Sequence, residues 1–318
     1  MRQFLILTLP CLLLACNSGS GSTDADGDDV NGDDSGQEDA GPQPAPLTTP
    51  TGGCPDLSES GGYTIDSSGE ERAFEILVPD PMPDGEIGLV FFFHGIANAG
   101  SNPAAQTASS LRIQDLADEY GVAVVLPEAP VQSLAGVSFH LWDLALESDH
   151  DLVLYDDLRA CVAEQHPVDL HRVVATGFSG GALFTTVVGA NRGDTLAAMV
   201  EGSGGANIDV PIWTEPGAAW TGSDTAFPSL LITGGDSDVW PEGFEIVDFV
   251  DATDTLQGAL VDEGHYVVRC DHGRGHTLTN TAWEFMIDWS VSHRFGEVSP
   301  WAAGELSIPQ TDDCAAVE

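Results

Sequence analysis

Apolar and polar positions follow two alternating rhythms over residues 73–293. Residues 73–78, 87–93, 122–126, 172–176, 196–200, 229–233 and 265–270 are short, apolar and β-rich, which reads as buried strands. Stretches of helical period lie between them. Residues 103–120 open with Asn102 as an N-cap and Pro103 at the first helical position. Residues 151–166 carry Leu152, Leu154, Leu158 and Val162 on one side. Residues 182–188, 244–263 and 281–293 add three further helices. Strands separated by helices require a mostly parallel sheet covered on both faces, so the pattern predicts a single α/β domain. The stretch 203–228, rich in Gly, Pro and Trp, predicts a loop over the active face.

The N-terminal region obeys neither rhythm. Arg2, an apolar run from Phe4 to Leu14, and Ala15 before Cys16 read as an export signal too short to span a bilayer. Leu13-Leu14-Ala15-Cys16 resembles a bacterial lipobox, which would make 1–16 a signal peptide and Cys16 a lipidated mature N-terminus. Ordinary cleavage beside an incidental Cys is the alternative. Several acyl chains on one Cys would suffice for stable anchoring, and Asn17 in place of Asp points to an outer membrane. Residues 17–46 hold almost nothing apolar to bury and are expected to be a disordered acidic linker. The run from Asp24 to Asp29 lacks the Glu of a calcium loop and reads as a self-repelling spacer. The folded domain is then 47–318.

Charge narrows the partners. The chain carries 51 Asp and Glu against 9 Arg and no Lys, a formal net charge of -42. Eight of those acids lie in 17–46, so the domain itself remains strongly acidic. Such a surface repels nucleic acid and anionic head groups and suits saline surroundings, where salt screens self-repulsion. Membrane contact is expected only through the lipid anchor, and the oligomeric state is open. Beyond the signal, Cys54, Cys161, Cys270 and Cys314 form an even set, which in an exported chain favours disulfides. Cys54 and Cys314 bracket the domain, and domain ends often lie close. The pairing expected is therefore Cys54 with Cys314 and Cys161 with Cys270. No spacing suggests a metal site, and no cofactor is expected.

The chemistry concentrates at Gly177-Phe-Ser-Gly-Gly181, between a strand and a helix. A Ser on such a sharp turn has its hydroxyl pushed out of the sheet, as in the nucleophile elbow of a serine hydrolase. That hydroxyl needs a base, and the base an orienting acid, in the chain order Ser, acid, His. Ser179 is the expected nucleophile and His276 the base, with His272 as rival. Asp238, in the loop after residues 229–233, is the expected acid, with Asp236 as alternative. Oxyanion donors should be the Gly180 N–H and the Ile96 N–H, the latter on a His94-Gly95-Ile96 loop in which His94 is structural. Trp142 and Trp240 are candidate walls of a substrate pocket, and Trp213 and Trp220 are further candidates on the long loop.

His94-Gly95, Val168-Asp169-Leu-His-Arg172, the elbow, Gly235-Asp-Ser-Asp238 and Gly275-His276 together resemble the polyhydroxybutyrate depolymerase and feruloyl esterase branch of the α/β-hydrolases, over about 63–293. The resemblance implies an α/β-hydrolase fold and cleavage of carboxylic esters, of polyhydroxyalkanoate oligomers, feruloyl groups or other short acyl groups. Arg274 interrupts the glycines before His276, and Thr233-Gly234-Gly235 stands where that family often has His-Gly. A peptidase or acyltransferase on the same triad, and a non-catalytic polymer-binding lipoprotein, are the competing expectations.

Overall fold

The computed structural model describes residues 41–134, 136–210, 215–241, 243 and 245–317. The expected signal peptide, Cys16 and most of the expected linker lie outside the described residues, as does Trp213. Nine strands make the main sheet: β1 (Gly61–Ser67), β2 (Glu70–Leu77), β3 (Ile87–Phe93), β4 (Val122–Pro127), β5 (Val168–Phe178), β6 (Ala198–Gly202), β7 (Ser229–Thr233), β8 (Val267–Asp271) and β9 (Ala315–Val317). Their spatial order is β1-β2-β4-β3-β5-β6-β7-β8-β9. The run from β4 to β8 is parallel, while β1, β2 and β9 join by antiparallel pairing at the edges. The edge strands β1 and β9 were not anticipated. A two-residue turn, Ser68-Gly69, with φ of 56° and 79°, closes the β1–β2 hairpin, as the right-handed twist of paired strands demands.

Alternation along β3 shows why its unbroken apolar run belongs at the centre. Leu89, Phe91 and Phe93 join the cluster formed with α3 (His150–Gln165), α4 (Gly180–Arg192) and α5 (Phe249–Asp262). Val90 and Phe92 face the other way, with Ile113 and Leu116. Those two residues belong to α2 (Ile113–Tyr120), and α6 (Asn280–Ser292) completes that face of the sheet. The single helix expected over 103–120 is two. The first, α1 (Pro103–Ser110), is capped by Asn102 as expected, its side chain accepting from the Ala105 N–H. Arg112 then takes a left-handed φ of 53°, which lets α2 turn its own apolar face, Ile113, Leu116 and Ala117, onto the sheet. The helix expected over 244–263 begins at Phe249, because Val247–Asp248 pairs with Val239–Trp240 and Asp248 serves as its N-cap.

Two further expectations are corrected. The disulfides join Cys54 to Cys161 and Cys270 to Cys314. Cys54 and Cys314 lie at opposite edges of the sheet, so each pairs with the element it packs against. Cys54 leads into β1, which α3 covers, and Cys314 precedes β9 beside β8. The second correction concerns residues 41–46, expected to be free linker. The Ala45 N–H donates to the Asp194 carbonyl at 2.8 Å, and Arg159 donates to the carbonyls of Ala45 and Pro46. Pro42 packs beside Gly296. Asp194 precedes β6, and Gly296 follows α6. The segment thus lies at the end of the sheet where the parallel strands begin.

Candidate active site

Ser179 occupies the junction of β5 and α4 with φ 59° and ψ -128°. A non-glycine residue there is strained by about 1–3 kcal/mol, a conformation held by its surroundings. The neighbouring glycines are required by packing: a Cβ on Gly181 would overlap the Phe93 carbonyl, and one on Gly177 would overlap Gly181. The turn brings Ser179 to the carboxyl ends of the parallel strands, where two later loops meet it.

Those loops clasp each other. The His272 N–H donates to the Thr233 carbonyl at 3.0 Å, and the Gly275 N–H donates to the Gly234 carbonyl at 2.7 Å. His276 Nε2 consequently lies 2.9 Å from Ser179 Oγ, and its Nδ1 lies 2.8 Å from Asp238 Oδ1. With Nδ1–H donating to the carboxylate, Nε2 is free to accept the serine proton. Asp238 is fully buried, and its Oδ2 accepts from Ser203 Oγ at 2.9 Å and from the Gly234 N–H at 2.7 Å. The rivals stand apart: Asp236 is exposed, and His272 Nδ1 accepts from the Arg274 N–H within its own turn.

The imidazole of His276 is stacked between two rings, Phe178 at 5.1 Å and Phe249 at 4.4 Å between centroids. Neither phenylalanine, nor Ser203, was singled out from sequence. The Gly-rich run Gly202-Ser203-Gly204-Gly205 directly after a strand was the available signal for Ser203.

The His94-Gly95-Ile96 loop runs beside the elbow. Its Ile96 nitrogen comes so near Gly180 that a Cβ there would sit 3.3 Å from it. Gly180 opens α4, so its N–H is one of the helix's unpaired first donors. His94 is a brace. Its Nδ1–H donates to the Gly95 carbonyl at 2.6 Å, while Nε2 accepts from the Ala129 N–H at 3.1 Å. Burial pushes its pKa down to about 4, which keeps the ring neutral. The Trp142 indole N–H donates to the His94 carbonyl at 2.8 Å, and its ring stacks on Phe184.

Trp142 therefore supports the loop from beneath and does not wall the space above Ser179. Trp240 does wall it. On one side Ile96, Leu144, Leu183, Ile208, Trp240 and Phe249 enclose a narrow apolar cavity of about 50 Å³ that reaches Ser179. On the other, Gln106, Thr107, Phe178, Trp240 and His276 border an open cleft of about 540 Å³. Trp220 lies elsewhere, donating to Glu263 and packed edge-on to Phe227 and His265. Among the described residues no cluster of His, Cys, Asp and Glu is arranged to hold a metal ion.

Known proteins resemble the chain in fold. No curated protein sequence matches the chain. Among solved structures, native sOPH superposes with a TM-score of 0.66 at 18% identity, over 85% of this chain and 97% of its own. An S-formylglutathione hydrolase from Agrobacterium tumefaciens gives 0.52 at 16% identity, over 74% and 95%. A ferulic acid esterase gives 0.51 at 15%, over 72% and 93%. At such identities the shared property is the fold, that of the α/β-hydrolases. The family model of esterase PHB depolymerase matches residues 74–208, from β2 through the His94 loop and the elbow, and stops short of Asp238 and His276. Residues 74–208 thus match the esterase PHB depolymerase family, and the chain is a carboxylic ester hydrolase built on the α/β-hydrolase fold.

Proposed function

We propose that the chain is an exported, lipid-anchored serine esterase in which Ser179, His276 and Asp238 form the catalytic triad. The observation that carries this reading is the unbroken relay of 2.9 Å and 2.8 Å contacts from hydroxyl to imidazole to buried carboxylate. Ser179 Oγ bonds to the ester carbonyl carbon as its proton passes to His276 Nε2. The carbonyl oxygen becomes an oxyanion, met by the N–H groups of Gly180 and Ile96. The bond to the alkoxy oxygen then breaks, and His276 returns the proton to the leaving alcohol. Water, deprotonated by His276, adds to the acyl-enzyme and frees Ser179. Asp238 holds the Nδ1–H tautomer and stabilises the imidazolium.

The two spaces beside Ser179 support a division of the substrate between them. His276 borders the open cleft, so the alcohol that it protonates lies there and can be large. The acyl side falls in the smaller, apolar cavity of about 50 Å³. Short acyl groups on a bulky or oligomeric alcohol fit this division. Two disulfides agree with an oxidising compartment. No helix among the described residues is long and apolar enough to cross a membrane; the proposed attachment is a lipid on Cys16.

A fluorophosphonate probe should label the wild-type chain, and Ser179→Ala should abolish labelling. An unlabelled wild-type chain, inert toward short-chain, long-chain, hydroxycinnamoyl and hydroxybutyrate-oligomer esters alike, would refute the esterase reading. Cleavage of peptides in preference to all of these would assign the triad to a peptidase.

A further inference from the structure

Glu201 lies in β6 directly beneath the acid side of the site, and its side chain has no exposed surface. Its Oε2 accepts from the Gly205 N–H at 2.7 Å. Its Oε1 lies 2.6 Å from Thr186 Oγ, and that same hydroxyl oxygen lies 2.8 Å from the Gly205 carbonyl oxygen. A threonine hydroxyl has one proton to donate. A carboxylate and a carbonyl only accept, so an ionised Glu201 leaves one of these two contacts without a hydrogen.

A neutral carboxyl supplies it. Glu201 then donates from Oε1 to Thr186, Thr186 donates to the Gly205 oxygen, and the Gly205 N–H closes the ring on Oε2. The surroundings are uncharged. α4 contributes Thr186 and Ala182, the flanking strands Gly177 and Leu231, and the loop Gly204 and Gly205, with Ala252 and Thr253 of α5 behind it. Among the described residues no cation faces the carboxyl. Burial raises its pKa to about 8, in keeping with the neutral form.

This ring ties α4, the helix that follows Ser179, to the loop that begins at Ser203. Ser203 sits at a left-handed φ of 50°, its N–H on the Ile232 carbonyl at 2.7 Å and its hydroxyl on Asp238. We infer that Glu201 is a positioning residue: as the neutral acid it locks the 203–205 loop so that Ser203 holds Asp238, and its ionisation releases that loop and weakens ester hydrolysis. The inference rests on the triad proposed above. On ionisation the proton passes to solvent, Thr186 turns to the new carboxylate, and the Gly205 carbonyl is left buried without a donor.

Glutamine reproduces the neutral pattern permanently, its amide N–H facing Thr186 and its carbonyl facing the Gly205 N–H. The test compares kcat/KM on one short-chain ester from pH 6 to pH 10 for wild type, Glu201→Gln and Thr186→Val, with infrared difference spectra of the first two. Wild type should fall by about tenfold or more above pH 8, Glu201→Gln should retain activity and lose that fall, and Thr186→Val should be slower throughout. A protonated-carboxyl band should be present in wild type at pH 7 and missing in Glu201→Gln. An unchanged alkaline fall in Glu201→Gln, or no such band at pH 7, overturns the inference. The band is read without any reaction, so it stands apart from a failure of the esterase reading, which would appear as no hydrolysis and no probe labelling in wild type.

Discussion

Asp238 has two oxygens with separate tasks. Oδ1 faces His276, and Oδ2 is held by Ser203 and the Gly234 N–H. Hydrogen bonds to a charged group are worth about 1.5–3 kcal/mol, so Ser203→Ala should lower kcat about tenfold with KM nearly unchanged. Asp238→Asn should lower kcat by about 10⁴-fold, because an amide can impose the wrong imidazole tautomer. Equal losses in the two variants, or none in Ser203→Ala, would contradict this division. Glu201 adds a prediction about stability. Its pKa stands at 4.5 for the free group and about 8 in the fold. The folded chain therefore retains a proton that the unfolded chain releases, and the associated stability is complete below pH 4.5 and lost as pH rises through about 8. The Tm of wild type minus that of Glu201→Gln should fall between about pH 5 and about pH 9; a difference that does not change with pH refutes it. The meeting of Ser179, His276 and Asp238 was legible in sequence because chain order and strand ends constrain them. Ser203, Phe178 and Phe249 were not, since a hydroxyl or a ring gains its role only from the side chain it meets across the fold.

At the scale of elements, periodicity located the parallel strands and most helices because their burial on both faces leaves continuous apolar runs. It missed β1 and β9, edge strands only part-buried, whose residues resemble loop. It also merged α1 and α2, since a left-handed Arg112 leaves no mark in composition. The disulfides illustrate the same limit: proximity of the chain ends depends on strand order, which spacing does not encode. Their loop lengths, 107 and 44 residues, imply about 4–5 kcal/mol each in the chain-entropy view. Removing Cys54 and Cys161 together should lower Tm and leave kcat/KM intact, because that bridge ties the sheet's far edge. Removing Cys270 and Cys314 should lower both, because Cys270 sits at the base of the His276 loop. Identical activity in the two double variants, read on one ester, would refute the distinction. Trp240 stands between cavity and cleft, so Trp240→Ala should shift the preferred acyl chain to longer lengths across a p-nitrophenyl series. An unmoved optimum would show that another wall sets the limit.

Over the whole molecule the acids go largely unanswered. Arg72, Arg112, Arg192, Arg269 and Arg294 already pair with Asp residues, and there is no Lys. Self-repulsion among the remaining carboxylates weakens the compact state and is screened by salt. Tm should therefore climb as NaCl is raised to about 1 M, where the screening length falls to about 3 Å; a flat or falling curve would exclude this balance. Composition alone made that property visible. The path of residues 41–46 was not, because a Pro- and Gly-rich segment looks the same whether loose or fastened. Ala45 is bonded where the parallel strands start, whereas Ser179, Asp238 and His276 follow the places where they finish. A bead or tag joined at residue 41 would thus sit at the end of the sheet away from Ser179 and leave the crevice clear for a dissolved ester.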